Sequence, residues 1–395
     1  MSDAPADEAG IASAIRAAAE AGEPLLVQGH GTKLGMLRPV QAARSLSTRN
    51  LTGITLYSPK ELIVSARAGT TVTALEAALH EGGQHLIAEP PDLSALFGSG
   101  EGGEQTIGGV VAANLSGPRR VAWGAMRDHV MGVRAVNGAG ETIRSGGRVL
   151  KNVTGLDLCK LLSGSHGTLA VLTEITLKVL PAPEQTGSLV YAVADAEEGV
   201  RILSAGLCSP YGVSGAAYLP AEAADRIPWL VEQGAVALVR IEDFARSVEY
   251  RLGRLQAELG GARLDDETSR AAWRAIRDVI PLRTEAGEAI WRVSVRPSRG
   301  PAALVAITRA GGRGFLDWGG GLLWAAGPPE LHDIVRQAAL DGKGTWTVVR
   351  APDGMRAAVE VLPPEPAPLH RITRRVKAAM DPRGVLNPGR MYAGL

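Results

Sequence analysis

The sequence predicts an α+β protein built in two main blocks with a returning tail, and three observations carry that expectation. Short strand-like runs alternate with capped helical runs along nearly the whole chain. The clearest strand pattern, at 168–180, stops at Pro181-Ala-Pro183, where a strand must end and a linker is expected. Glycine clusters are dense before that point and sparse after it until 311–321.

Taken in order, residues 11–21 have helical spacing and stop at Gly22, a residue suited to a left-handed cap. Residues 24–28 (PLLVQ) read as a short buried strand running into a glycine loop. A second strand is expected over 61–68. Val72, Leu75, Ala78 and Leu79 share one face of a helix over 72–81, closed by Gly82-Gly83. From 90 to 124 small residues dominate, and GSGEGG at 98–103 reads as a loop rather than a site. A strand over 129–137 turns at Gly138-Ala-Gly140 and returns over 141–144, a hairpin signal. In the strand 168–180, Leu169, Val171, Thr173, Ile175, Leu177 and Val179 alternate with the other face. Beyond the Pro-x-Pro, strands are expected over 189–193, 235–241 and 289–295, with an amphipathic helix over 244–259. A basic helix over 369–380 leads into the turn-rich tail DPRGVLNPGRMY. The expected division is 1–181, 184–348 and 349–395. No repeat at a solenoid period is visible.

Lys and Arg number 42 against 41 Asp and Glu, which removes any global attraction for nucleic acid or anionic lipid. Hydrophobic residues at 45% with 21% charged describe a globular chain with ample core. Two cysteines, Cys159 and Cys208, cannot build a disulfide framework, a zinc cluster or an iron–sulfur centre. The acidic start MSDAPADEAG has no apolar core of a secretory signal, and no apolar run is long enough for a bilayer. A cytoplasmic protein is the expectation. With 49 glycines, backbone-lined sites are the feature to seek.

Three segments qualify. The first is Gln28-Gly29-His30-Gly31-Thr32-Lys33, directly after a strand. Glycines flanking one residue let N–H groups converge on an anion, and Thr32 and Lys33 add a hydroxyl and a cation. A plain tight turn is the competing reading, since the spacing is neither a Walker loop nor GxGxxG. The second is Thr106-Ile107-Gly108-Gly109, continuing through Ala112 to Asn114 and Gly117. Thr106 suits a helix cap, and the glycines give access to first-turn N–H groups, where a diphosphate would bind. Close packing of helix on strand would demand the same residues. The third is KNVTGLDL at 151–158, leading to Gly164 and Gly167. Asp157 there suits a helix cap better than a ligand.

In this order the three segments resemble the PCMH-type FAD-binding domain of the vanillyl-alcohol oxidase flavoprotein superfamily. QGHGTK resembles its diphosphate loop, TIGGVVAAN its TIGG segment, and KNVTGLDLCKLLSGSHGTLAVLTEITLKVLP its third block. The tail DPRGVLNPGRM is similar to the closing DPxGxxNPG signature. Length, the DWGGGLLW run at 317–324 and the ending NPGRMY resemble the branch of FAD-binding subunits of bacterial glycolate oxidase. Leu323 departs from that branch, which often carries Arg there.

The resemblance implies a two-subdomain FAD-binding domain, then an α+β cap domain, then a tail returning to the first. It implies FAD held by residues 28–33 and 106–109, with Ala112, Asn114, Gly117, Asp157, Gly164, Gly167, Leu172 and Asn387 contributing. Thr32 occupies the position where relatives carry a tethering histidine, so the flavin is expected to be non-covalent. The implied role is a subunit that oxidises glycolate to glyoxylate and passes electrons through flavin to an iron–sulfur subunit, beside a larger flavin-containing catalytic subunit. Any membrane association would be peripheral, at the inner membrane through those partners. A non-catalytic flavin-binding scaffold and a standalone D-lactate-type 2-hydroxy-acid dehydrogenase are the alternatives. No metal is expected, because His332 and His370 have no paired ligand spacing. No catalytic set is readable. Arg292 or Arg296 could hold a carboxylate, although a solvated strand position is the plainer reading.

Overall fold

A computed structural model describes residues 2–97, 104–147 and 156–395. The loop expected at 98–103 and the 151–155 part of the third glycine segment lie outside the described residues. The fold is α+β, organised on three sheets.

The helix Glu8–Ala21 starts three residues before its apolar spacing, because the Asp7 carboxylate caps it by accepting from Gly10 N; Gly22 closes it at φ 67°. Its buried face, Ile11, Ile15 and Ala18, packs with Leu25, Leu46, Val171 and Leu386 in a small core of its own. That core backs a three-stranded parallel sheet in which Arg44–Ser47 lies between Leu25–Gln28 and Ser2–Asp3.

The second sheet is antiparallel and centres on Ala170–Pro181, the strand with the clearest alternation. Ile63–Arg67 pairs on one side, Val130–Asn137 on the other, and Gln84–Leu86 beside its end. The expected strand at 61–68 begins only at Ile63. Pro59 starts a 3-10 turn over Pro59–Glu61, and Leu62 closes it at φ 57°. The strand expected from 129 begins at Val130, because a helical turn Met126–His129 precedes it, held by the Asp128 carboxylate accepting from Ala125 N. The hairpin at 138–140 is an Asx turn, in which Asn137 Oδ1 accepts from the backbone of Ala139 and Glu141.

Past Pro181 the chain enters an eight-stranded antiparallel sheet. Its order is Ala262–Leu264, Gln185–Ala192, Val236–Asp243, Val213–Leu219, Arg313–Asp317, Leu322–Gly327, Ala289–Ser294 and Thr345–Arg350. Trp273, Trp291, Trp346 and Phe315 are fully enclosed among its apolar side chains. The helix Ala367–Met380 then carries the chain back. Leu25 N donates to Val385 O, and Lys377 Nζ donates to Thr168 O, Asp381 Oδ2 and Leu386 O, so the tail is bolted onto the first two sheets.

A buried four-charge cluster joins the large sheet to the N-terminal part. Arg240 Nη1 and Nη2 each lie 2.9 Å from a Glu89 oxygen, and Arg119 reaches Glu242 at 2.7 Å. Two guanidiniums face two carboxylates, so the cluster is neutral in sum. Nearby, Trp318 Nε1 donates to Gly117 O at 3.1 Å, and a Cβ on Gly117 would sit 2.1 Å from Glu89 O. Gly117 therefore serves this close crossing.

Candidate functional site

The strand Leu25–Gln28 delivers the chain into a turn that Gly31 makes at φ 81°. Ser47 Oγ donates to Gly29 O at 2.7 Å and holds the loop to the neighbouring strand. The backbone N–H groups of five consecutive residues, Gly29 to Lys33, have no acceptor among the described residues; pairing resumes with Leu34 N to Gly31 O at 3.1 Å. Such a run of unused donors is an anion-binding concavity. Asn387 fixes it in space. Its Oδ1 accepts from Val27 N at 2.8 Å, while its Nδ2 donates to Val27 O and to His166 O. Asn387 thus positions the loop from behind.

The second glycine segment forms the helix Ile107–Ala112, capped by Thr106 as expected. Its first-turn donors are not free, however. Ile107 N donates to Thr70 O, Gly108 N to Ala68 O and Gly109 N to Thr106 Oγ1. The expectation that these groups face a diphosphate is corrected: the adjoining chain at 68–70 takes two of them and the Thr106 cap the third. A Cβ on Gly108 would lie 2.8 Å from Ala68 O, so this glycine permits close backbone packing. Gly109 instead leaves the floor of a cleft open, since a Cβ there would meet only Thr106 Oγ1 at 3.3 Å and Lys33 Nζ at 3.9 Å.

Gln28 to Lys33, Thr106, Gly108, Gly109, Ala112, Gly167 and Leu172 all line this cleft, which is open to solvent and holds about 700 Å³ of empty space counting its open side. Lys33 Nζ donates to Gln105 Oε1 at 3.1 Å, and burial brings its pKa down to about 8. Arg390 Nη2 donates to Lys33 O at 2.7 Å, and burial lowers its pKa to about 10. Both remain cations at neutral pH. His166 is held neutral by burial, with Arg390 and Lys33 adding to the effect, and its pKa falls to about 3. Among the described residues no Asp or Glu lines the cleft. Unused N–H donors, two cations and no acid fit the diphosphate of a dinucleotide.

The remaining expected residues lie elsewhere. Ile107 is a core residue with no exposure. Asp157 is exposed and caps Leu158–Leu162 by accepting from Lys160 N. Asn114, at φ 48°, accepts from Arg127 N, and with Gly164 it lines a second cavity. His30 turns to the rim, where its Nδ1 donates to Glu104 O at 2.7 Å. Sequence reasoning missed Arg390 and His166 as lining residues, although both stand inside the quoted motifs GSHGT and NPGRM. Among the described residues no three His, Cys, Asp or Glu side chains gather where a metal ion could sit. His332 is occupied in the core, accepting from Trp291 Nε1.

The second cavity adjoins the cleft through Ala113 and His166 and reaches the large sheet at Arg292, Trp324 and Thr347. Together the two form a continuous lining from the parallel sheet to the antiparallel one.

Comparison with known proteins agrees with this chemistry. A family described as an FAD binding domain matches residues 3–146. The glycolate oxidase subunit GlcE of Escherichia coli (strain K12) is 37% identical over 373 residues, covering 94% of this chain and 93% of that protein. A D-lactate dehydrogenase of Archaeoglobus fulgidus is 32% identical over 178 residues, 45% of this chain and 38% of that one. The 4-ethylphenol oxidase of Gulosibacter chungangensis has the same fold, with TM-score 0.71, 12% identity, and 99% and 88% of the two chains covered.

Proposed function

This chain belongs to the family of the glycolate oxidase subunit GlcE, and from that premise we propose that it is the FAD-binding subunit of a multisubunit glycolate oxidase. The observation that carries the reading is the likeness to GlcE over nearly the full length of both chains, whereas the D-lactate dehydrogenase is matched over less than half. The protein is an FAD-linked oxidoreductase acting on the CH–OH group of a 2-hydroxy acid. When bound, FAD supplies the two-electron acceptor for that oxidation.

The chain's own residues do the holding. The N–H groups of Gly29 to Lys33, with the Lys33 and Arg390 cations, take the diphosphate; Gly109 keeps the approach clear; Asn387 holds the loop in register. Residues 1–181 form the cofactor domain, 184–348 the cap, and 349–395 the returning segment. A larger flavin-containing subunit and an iron–sulfur subunit complete the complex. No helix among the described residues is long and apolar enough to cross a membrane, so attachment to one would come through those partners.

The test is glycolate oxidation with a dye acceptor, by the purified chain alone and by the chain co-purified with its partner subunits. Little turnover alone and strong turnover in the complex are expected. Robust turnover by the lone chain would transfer the reading to a standalone dehydrogenase.

A second expectation concerns the flavin bond. Thr32 stands where a tether would, and the imidazole of His30 is engaged at the rim with Glu104. Acid precipitation should therefore release all the FAD into the supernatant. Yellow colour remaining in the washed pellet would establish a covalent link.

A further inference from the structure

The second cavity, with about 640 Å³ of empty space counting its open side, is lined by one guanidinium that forms no ion pair among the described residues. Arg292 sits on the strand Ala289–Ser294, and its neighbours in register are Trp324 on one side and Thr347 on the other. All three line the cavity, so three adjacent strands present an aromatic wall, a cation and a hydroxyl in one row. Asn114 and His166 line the cavity too, and among the described residues no Asp or Glu does.

Among the described residues Arg292 has neither a hydrogen bond nor an ion pair; its Cζ rests 4.9 Å from the centroid of Trp318. Arg120, likewise without an acid partner, lies 4.5 Å from the same ring, so two unneutralised cations share one indole. The acid that acts on Arg292 from nearby, Asp317, is itself pushed up to about 7 by burial, and its Oδ1 accepts from Trp318 N. Arg292 stays a cation at neutral pH, since burial and the neighbouring Arg120 lower its pKa only to about 10. A cation left unpaired inside a protein costs free energy that an anionic ligand recovers.

We propose that Arg292, with the Thr347 hydroxyl beside it, is the carboxylate anchor of a small 2-hydroxy- or 2-oxo-acid site that this chain carries itself. The inference extends the glycolate oxidase reading and rests on it for the identity of the acid. It also goes past that reading, because it gives this subunit a substrate-sized site of its own. Arg296, the other candidate on this stretch, is exposed and lies outside the cavity lining.

Oxalate is a suitable probe because it offers the carboxylate and cannot be oxidised as an alcohol. It would be titrated by calorimetry into the purified FAD-loaded chain, with inorganic phosphate as a parallel titrant. The wild type and Arg296→Gln should bind oxalate alike, Arg292→Gln should bind at least about tenfold more weakly, and Arg292→Lys should fall between. Circular dichroism and flavin content establish that each variant is folded and loaded. Yellow, folded protein that binds no oxalate, or binds it equally well as Arg292→Gln, overturns the anchor and leaves the flavin reading standing. Phosphate binding as tight as oxalate, with the same loss in Arg292→Gln, also overturns it, in favour of a general anion site. A colourless chain that still binds oxalate through Arg292 keeps the anchor and removes the flavin reading.

Discussion

Gly109→Asp should empty the cleft of FAD while leaving the protein folded. The backbone at Gly109 is helical, so an L side chain meets no conformational barrier there. The new side chain would start with its Cβ 3.9 Å from Lys33 Nζ, so its carboxylate can pair with that ammonium and withdraw one of the two cations that face the diphosphate. It would also set a negative charge against the phosphates in a partly desolvated space, a repulsion worth several kcal/mol. A loss of at least ~100-fold in affinity, about 2.7 kcal/mol, is expected. Gly109→Ala adds only a methyl at 3.3 Å from Thr106 Oγ1 and should keep most of the flavin. The flavin-to-protein absorbance ratio after gel filtration, beside circular dichroism, reads both variants. A folded Asp variant with its full complement of FAD would show that the diphosphate binds elsewhere.

The largest stability effect should come from the buried charge cluster. Glu89→Gln leaves Arg240, which is 1% exposed, with one carboxylate fewer, and breaking such a pair costs about 3–5 kcal/mol. The thermal midpoint should fall by roughly 4–6 °C. The pairing itself is a different quantity, because desolvation offsets much of its Coulomb energy. Replacing Glu89 and Arg240 together by Met should therefore cost less than the sum of the two single changes.

The cluster also sets a pH limit. Burial works against ionising Glu89 and Glu242, but Arg119 and Arg240 outweigh it and hold both pKa values below the usual carboxylate range. Their contribution is present above the unfolded-state value of about 4.3 and is lost as pH falls through the depressed folded values. Glu89→Gln should flatten that acid limb of stability against pH. A Gln variant within about 1 kcal/mol of wild type, with an unchanged acid limb, would mean other contacts hold the two parts together.

Much of the fold was legible because its signals are local. The helix over 72–81 is found with the expected bounds, since both its cap and its stop are adjacent in sequence to its apolar face. The strand over 168–180 appears as Ala170–Pro181 for the same reason: alternation and proline are properties of neighbouring residues. Errors cluster at element starts, where a cap or turn outside the apolar pattern decides, as the Asp7 cap does for the first helix and the Pro59–Glu61 turn for the strand Ile63–Arg67.

For the site, sequence by itself picked out the glycine segments, and their order along the chain, a one-dimensional property, carried the family resemblance that implied FAD. Only the tertiary structure decided which donors remain free. The Gly29–Lys33 loop keeps its N–H groups, while in the helix Ile107–Ala112 the local cap Thr106 takes that of Gly109, and Thr70 and Ala68 take those of Ile107 and Gly108 through a backbone approach that no local pattern announces. Tertiary structure alone also brought Arg390 from the tail into the cleft and left Arg292 without an ion pair among the described residues. Hydrogen bonds and charges are satisfied through space, and whether a polar group is spent or available is settled only when the whole chain has folded around it.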